Sequence, residues 1–299
     1  MTSKWAHSSA YHHVHHEGWR GVVDDVIERA EHTAHDLYDL EENIRKKLDD
    51  RLFPNDLLYC EGMPRPMFRG MLHLYCALLI PFAYYHLCVV ESNNHPEAQL
   101  AAGIYLAGQL FCCAISALYH VGKWSPSTEI FLQKLDHCGI AVCSSAINFP
   151  SAFLLLPHSA GYSLAILSTI TCAWTCWNII NKRPGVWRLV VNAAVILLYF
   201  PLLFGYYMTW LEVICVLTNT FAMLIGVAIF INRIPNPWPE VFGYHEVFHV
   251  FTVIGFVAVY LCHWSLVHRV CNPYAQRISV LEILYDAAVR TPAGMVGVE

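Results

Sequence analysis

The sequence predicts an all-α protein, a bundle of seven transmembrane helices with a cytosolic amphipathic helix before it. Three observations carry that expectation. The 299 residues are 56% hydrophobic and 14% charged with a mean hydropathy of +0.41, which is too apolar for a soluble domain of this size. Seven apolar runs follow one another with short loops, each near the ~20 residues that cross ~30 Å of hydrocarbon. None alternates as a membrane barrel strand does, so helices are left to satisfy the backbone in lipid.

In chain order, residues 1–17 hold His12, His13, His15 and His16, a His-rich stretch expected to be a disordered tail. This opening is polar, unlike a signal peptide, so the first spanning helix is expected to direct insertion. Residues 18–60 form the next segment. From Gly18 to Arg51, apolar residues recur at three and four (Val23, Ile27, Ala30, Ala34, Leu37, Leu40, Ile44, Leu48) between charges, which predicts an amphipathic helix ended by Pro54. The apolar runs then lie at about 70–90, 98–120, 138–157, 161–180, 187–206, 210–231 and 246–267. A tail, 269–299, closes the chain.

Charge sets the expected orientation. With the N-terminus in the cytosol, the inner segments carry nine Lys/Arg before the first helix, then Lys123 and Lys134, then Lys182, Arg183 and Arg188, then Arg233. The short outer loops 91–97, 158–161 and 207–209 carry none, and only the tail (Arg269, Arg277, Arg290) departs from the rule. The C-terminus is therefore expected outside. Net charge is only -5 and no basic patch is interleaved with aromatics, so nucleic acid is not an expected partner. The 12 cysteines fall mostly inside apolar runs without a Cys-x-x-Cys pair, and read as small buried residues.

The chemistry-bearing residues stand out because they are polar where the chain is apolar. His245 and His249 are four apart, so on a helix both imidazoles leave one face about 6 Å apart along the axis, a spacing suited to one metal ion. His120 ends the second run and Asp136 starts the third, and a carboxylate at membrane depth usually marks an ion or proton site. The orientation above puts all four near the cytosolic side. Ser116, one turn before His120, either orients the site or bonds back to its own helix. His73, His86, His158 and His263 read as packed or interfacial.

Four stretches together resemble the hemolysin III and progestin/adiponectin receptor (PAQR) family: Pro66-Met67-Phe68-Arg69-Gly70-Met71-Leu72-His73; Ser116-Ala-Leu-Tyr-His120 with Lys123-Trp124-Ser125; Leu135-Asp136-His137; and Gly243-Tyr244-His245-Glu246-Val247-Phe248-His249. The resemblance covers about residues 64–268. It implies a seven-helix bundle in which His120, His245 and His249 bind zinc on the cytosolic side, with Asp136 and Ser116 acting around the zinc-bound water. One segment departs from the family pattern: Ala146-Ile147-Asn148-Phe149-Pro150 keeps only the proline of the Gly-Thr-Tyr-Thr-Pro found in many relatives. That bears on the lining of the cavity, not on the zinc ligands.

Three histidines plus water are the ligand set of a catalytic zinc, which lowers the pKa of its water to roughly 7. The resemblance accordingly implies a zinc-dependent hydrolase acting on a lipid amide such as ceramide, a receptor for a lipid-like or extracellular ligand, or a membrane-homeostasis protein with a structural zinc. The residues leave turnover open. A further reading comes from His245-Glu246-Val247-Phe248-His249, which matches the His-Glu-x-x-His of zinc metalloproteases. Glu282 and Asp286, however, fall on the far side of the membrane in the expected topology, leaving that mechanism without a third ligand.

Overall fold

The computed structural model describes residues 66–181 and 194–271, with 191 and 192 and positions 29, 32, 33, 35–40 and 43. The His-rich tail, most of the amphipathic segment, the first residues of the fifth apolar run and the tail beyond Cys271 lie outside the described residues. The described positions between 29 and 43 are helical and belong to a compact unit of their own, Met1–Arg51.

Among the described residues, six spans are long and apolar enough to cross a membrane. They are α1 (Met71–Tyr84), continued by a wider π turn over Tyr85–Glu91; α2 (Pro96–Val121); α3 (Pro126–Ala146) running into α4 (Asn148–Leu154); α5 (His158–Ile180); α6 (Trp210–Asn232); and α7 (Tyr244–Cys271). The fifth run is not one continuous helix where it is described. It passes through a 3-10 turn at Val195–Leu198, one α turn at Phe200–Leu202 and a π turn at Leu203–Tyr207. Pro201 supplies a reason, since it has no N–H for the preceding turn.

Local chemistry sets the ends of these helices. Pro96 opens α2 with its φ already fixed near the helical value, and Gly122 ends it in extended backbone while the Trp124 indole donates to the Leu118 carbonyl (2.8 Å). After a four-residue link, Ser125 caps α3 by accepting from Thr128 N, with Pro126 in the first turn. This helix begins well before the apolar run expected from residue 138, so Asp136 sits inside α3 and not at its start. The chain breaks at Ile147 because Pro150 cannot donate to the Ala146 carbonyl. Thr209 and Glu212 open α6 with reciprocal bonds, Glu212 N to Thr209 Oγ1 (3.3 Å) and Thr209 N to Glu212 Oε2 (2.9 Å).

Lipid tails are as apolar as leucine, so helices associate here through close packing and interhelical hydrogen bonds. At the α2–α3 crossing, a Cβ added to Gly108 would lie 2.4 Å from the Ala146 Cβ, a separation only glycine allows. Asn148 Nδ2 donates to Ser168 Oγ (2.9 Å), tying α4 to α5, and Asn192 joins Ser145 (2.9 Å) and the Ala141 carbonyl (3.1 Å). The far end of α7 is held to two carboxylates, with Arg269 Nε donating to Glu212 Oε1 (2.8 Å) and Trp264 Nε1 donating to Glu91 Oε1 (2.9 Å) among its bonds. The apolar core gathers toward that end, in one cluster around Leu164, Leu203 and Leu266 and another around Leu87, Tyr105 and Val267. The described cysteines carry no disulfide.

The glycine crossing is testable. Gly108→Val is expected to destabilise the bundle by about 1–3 kcal/mol through overpacking, read as a lower thermal-unfolding midpoint of detergent-purified protein. Adding Ala146→Gly to that variant should recover part of the loss. A wild-type midpoint for Gly108→Val alone would mean that α2 and α3 stand farther apart than described.

Candidate metal centre

Three histidines from two distant parts of the chain meet at one end of the bundle. His120 comes from the last turn of α2, and His245 and His249 from the first two turns of α7. One ligand atom from each lies within 4.8 Å of the others, and the residues are only 4%, 8% and 3% exposed. Ring centroids are 4.6 Å apart for His120 and His245, 4.5 Å for His245 and His249, and 5.5 Å for His120 and His249. The i, i+4 spacing read from the sequence does place both α7 imidazoles on the face turned to α2.

The donor set fits a metal ion. Neutral imidazoles offer a nitrogen lone pair each, and His245 Nε2 is buried without a hydrogen-bond partner among the described residues. A buried nitrogen left in that state is costly unless something satisfies it. The group could therefore hold a metal ion. Apolar rings close one flank, with Phe230 of α6 at 5.5 Å and Phe248 at 5.8 Å from His245.

Asp136 reaches the same place from α3. Its Oδ2 lies 3.7 Å from His120 Nε2 with the side chain 16% exposed, and the Ser116 hydroxyl stands beside its carboxylate. Ser116 is itself buried. The two residues picked out beside the histidines are thus in contact with each other and with the group.

Glu246 has a different position. Its Oε1 accepts from Arg69 Nη1 at 2.9 Å and its Oε2 accepts from the Gly243 backbone N–H at 2.7 Å, in an ion pair whose side chains are 6% and 1% exposed. The segment before α1 is laid against the loop before α7 by two further bonds, Met67 N to Glu240 O (3.0 Å) and Phe68 N to Val241 O (3.1 Å). Gly70 follows with φ +76, and a Cβ there would come 2.7 Å from the His120 Cβ. Only glycine meets both demands, the left-handed backbone and the contact with His120.

Sequence reasoning did not find Arg69 as a member of the site, nor the part played by His73. His73 lies 4.0 Å from His249, ring to ring, at an interplanar angle of 14°. The other histidines keep to the packed or interfacial positions expected of them. His86 bonds Tyr260 (2.7 Å), His263 is buried against Tyr105, and His158 is exposed at the start of α5.

A family model described as "Haemolysin-III related" matches residues 62–260. Two curated rice proteins (Oryza sativa subsp. japonica) are similar to this chain. "Heptahelical transmembrane protein ADIPOR1" is 26% identical over 177 residues, 52% of this chain and 47% of that protein. "Heptahelical transmembrane protein ADIPOR2" is 26% identical over 180 residues, 53% of this chain and 78% of that protein. The chain thus spans about half the length of the first relative.

The ion pair makes a prediction about stability. Arg69→Met and Glu246→Leu should each cost about 3–5 kcal/mol, because each leaves the opposite group buried without its partner. The pair Arg69→Met/Glu246→Leu should cost clearly less than the sum, measured as a double-mutant cycle on unfolding in detergent. Strict additivity would separate the two side chains.

Proposed function

The chain belongs to the haemolysin-III related family and is an integral, multi-pass membrane protein, and from that premise we propose that it holds one zinc ion between His120, His245 and His249 and hydrolyses a lipid amide of the ceramide class. The observation that carries this reading is the buried three-imidazole group with a carboxylate 3.7 Å from one of its rings. Three neutral imidazoles are the ligand set of open, reactive zinc sites, and a fourth direction is left to the reacting molecule.

When bound, zinc at such a site lowers the pKa of a coordinated water toward ~7 and polarises a substrate carbonyl. The remaining steps fall to the protein. Asp136 Oδ2, beside His120 Nε2, takes up a proton and returns it to the amine that leaves. Ser116 stands beside the Asp136 carboxylate and orients it. Phe230 and Phe248 keep bulk water from the His245 side. A substrate whose chains lie in the bilayer would reach the site without leaving the hydrocarbon.

The protease alternative asks Glu246 to act as general base. Both its oxygens already accept hydrogen bonds, from Arg69 and from Gly243 N–H, so the role suits Asp136 better. The heptahelical relatives also support a seventh span contributed by the fifth apolar run, and the Lys/Arg distribution supports an N-terminus in the cytosol and a C-terminus outside. On that arrangement the metal centre faces the cytosol.

Two experiments test the reading. Elemental analysis of purified protein should find about one zinc per chain in the wild type and marked loss in His120→Ala and His249→Ala. Asp136→Asn should keep zinc while hydrolysis of a synthetic ceramide falls at least tenfold, in line with the ~10–100-fold cost of losing a carboxylate that supports a metal site. Full zinc with no hydrolysis in the wild type would leave a structural tie between α2 and α7, in a receptor or homeostasis protein. Reporters fused before Thr2 and after Glu299 should report on opposite sides of the membrane, and the same side for both would remove the seventh span.

A further inference from the structure

His73 is the fourth histidine of this neighbourhood, and its surroundings are unusual for a packing residue. It is 5% exposed and belongs to α1, the helix that supplies none of the three imidazoles above. Its ring stacks on His249 (centroids 4.0 Å, 14°), and Phe256, two turns farther along α7, faces it at 5.9 Å and 29°. The ring is therefore held between two residues of α7, flat against one of them.

A second link joins the same residues. Thr252 Oγ1 donates its one proton to the His249 carbonyl (2.8 Å), and His73 Nε2 lies 3.0 Å from that hydroxyl oxygen. With the hydroxyl proton already used, the oxygen accepts and His73 Nε2–H donates, a tautomer that follows from the hydrogen-bond pattern. His73 Nδ1 is then the bare nitrogen, and it is buried without a partner. Phenylalanine would pack here without an orphaned acceptor. The imidazole is retained at that cost, and what it gains is the bond to Thr252.

We propose that His73 is a positioning residue for the metal centre: its stacked ring holds the plane of the His249 imidazole, and its bond through Thr252 holds the stretch of α7 that carries His249. This rests on the reading that His249 is a metal ligand. A ligand ring free to rotate spends only part of its time with the nitrogen aimed at the ion, so the loss of a ring that orients it weakens binding. Most ligating histidines are oriented by a hydrogen bond to the second ring nitrogen. Here a ring face does that work for His249.

The test uses full-length protein in detergent, stripped of metal and titrated with Co2+, whose visible absorption reports the coordination geometry. Wild type should bind one Co2+. His73→Ala should bind it about 10–100-fold more weakly with an altered absorption band, and His73→Phe, which keeps a flat ring in the stack, should regain most of that affinity and the wild-type band. Thermal unfolding of the metal-free proteins separates this from loss of fold. Wild-type affinity and band in His73→Ala would overturn the proposal. So would a His73→Phe protein that is as stable as wild type without metal yet binds no better than His73→Ala. If wild type itself takes up no Co2+, or His120→Ala takes it up equally well, the three-histidine reading fails and this inference falls with it.

Discussion

The arrangement depends most on one buried ion pair, Arg69 with Glu246. A buried pair contributes little net stability, since desolvating both charges costs about what their attraction returns. What it contributes is position. Glu246 follows His245 directly in α7, and Arg69 lies one residue before the glycine that packs on His120 and four before His73. Fixing Arg69 against Glu246 therefore sets the register of α1 against α7, and with it the placing of His73 on His249 and of Gly70 on His120. The backbone bonds from Met67 and Phe68 to the loop before α7 act in the same direction.

Charged groups gather at the two ends of the long helices, buried amides and hydroxyls such as Gln109, Asn148 and Ser168 lie between, and the apolar clusters lie toward the end away from the histidines. In hydrocarbon an unpaired polar group is costly, so each buried one must have a partner or a ligand. At the end of α7 remote from the histidines this holds within the protein: Glu212 accepts from Arg269, Ser265 and Thr209 N. At the histidine end some nitrogens lack protein partners, among them His245 Nε2 and His73 Nδ1. Unpartnered nitrogens among the described residues also occur away from the histidine group, at His95 and His263, so what distinguishes the histidine end is three imidazoles whose ligand atoms lie within 4.8 Å of one another.

Much of the site was legible because polarity is conspicuous in an apolar run. His120, Asp136, His245 and His249 have no favourable place in lipid, and the four-residue spacing fixed a common face for the last two. Arg69 escaped notice because an arginine just before a spanning helix is ordinary, and nothing local reveals that its charge is buried. The start of α3 was hidden for the converse reason. Its first turns, Pro126 to Leu135, are polar enough to read as a loop, and only the Ser125 cap with Pro126 marks them as helix. The π turn after Tyr84 has no periodic signal to find. The fifth run was read as a span from apolar content alone, and content does not register the break that Pro201 makes.

Two carboxylates, Asp136 and Glu246, lie within reach of the histidines, and their surroundings divide the work between them. Glu246 is enclosed, held by a guanidinium and a backbone N–H, so its charge is balanced and its oxygens are taken. Asp136 keeps some exposure, stands beside Ser116 and faces the His120 ring. A residue that must exchange protons needs free lone pairs and a path to the reacting atoms. Sequence proximity would favour Glu246, which stands between the two α7 histidines, but helical geometry turns it about 100° from His245. The turn that aligns His245 with His249 is the same turn that sends Glu246 to Arg69, so on the proposed reading the proton chemistry falls to the residue that arrives from α3.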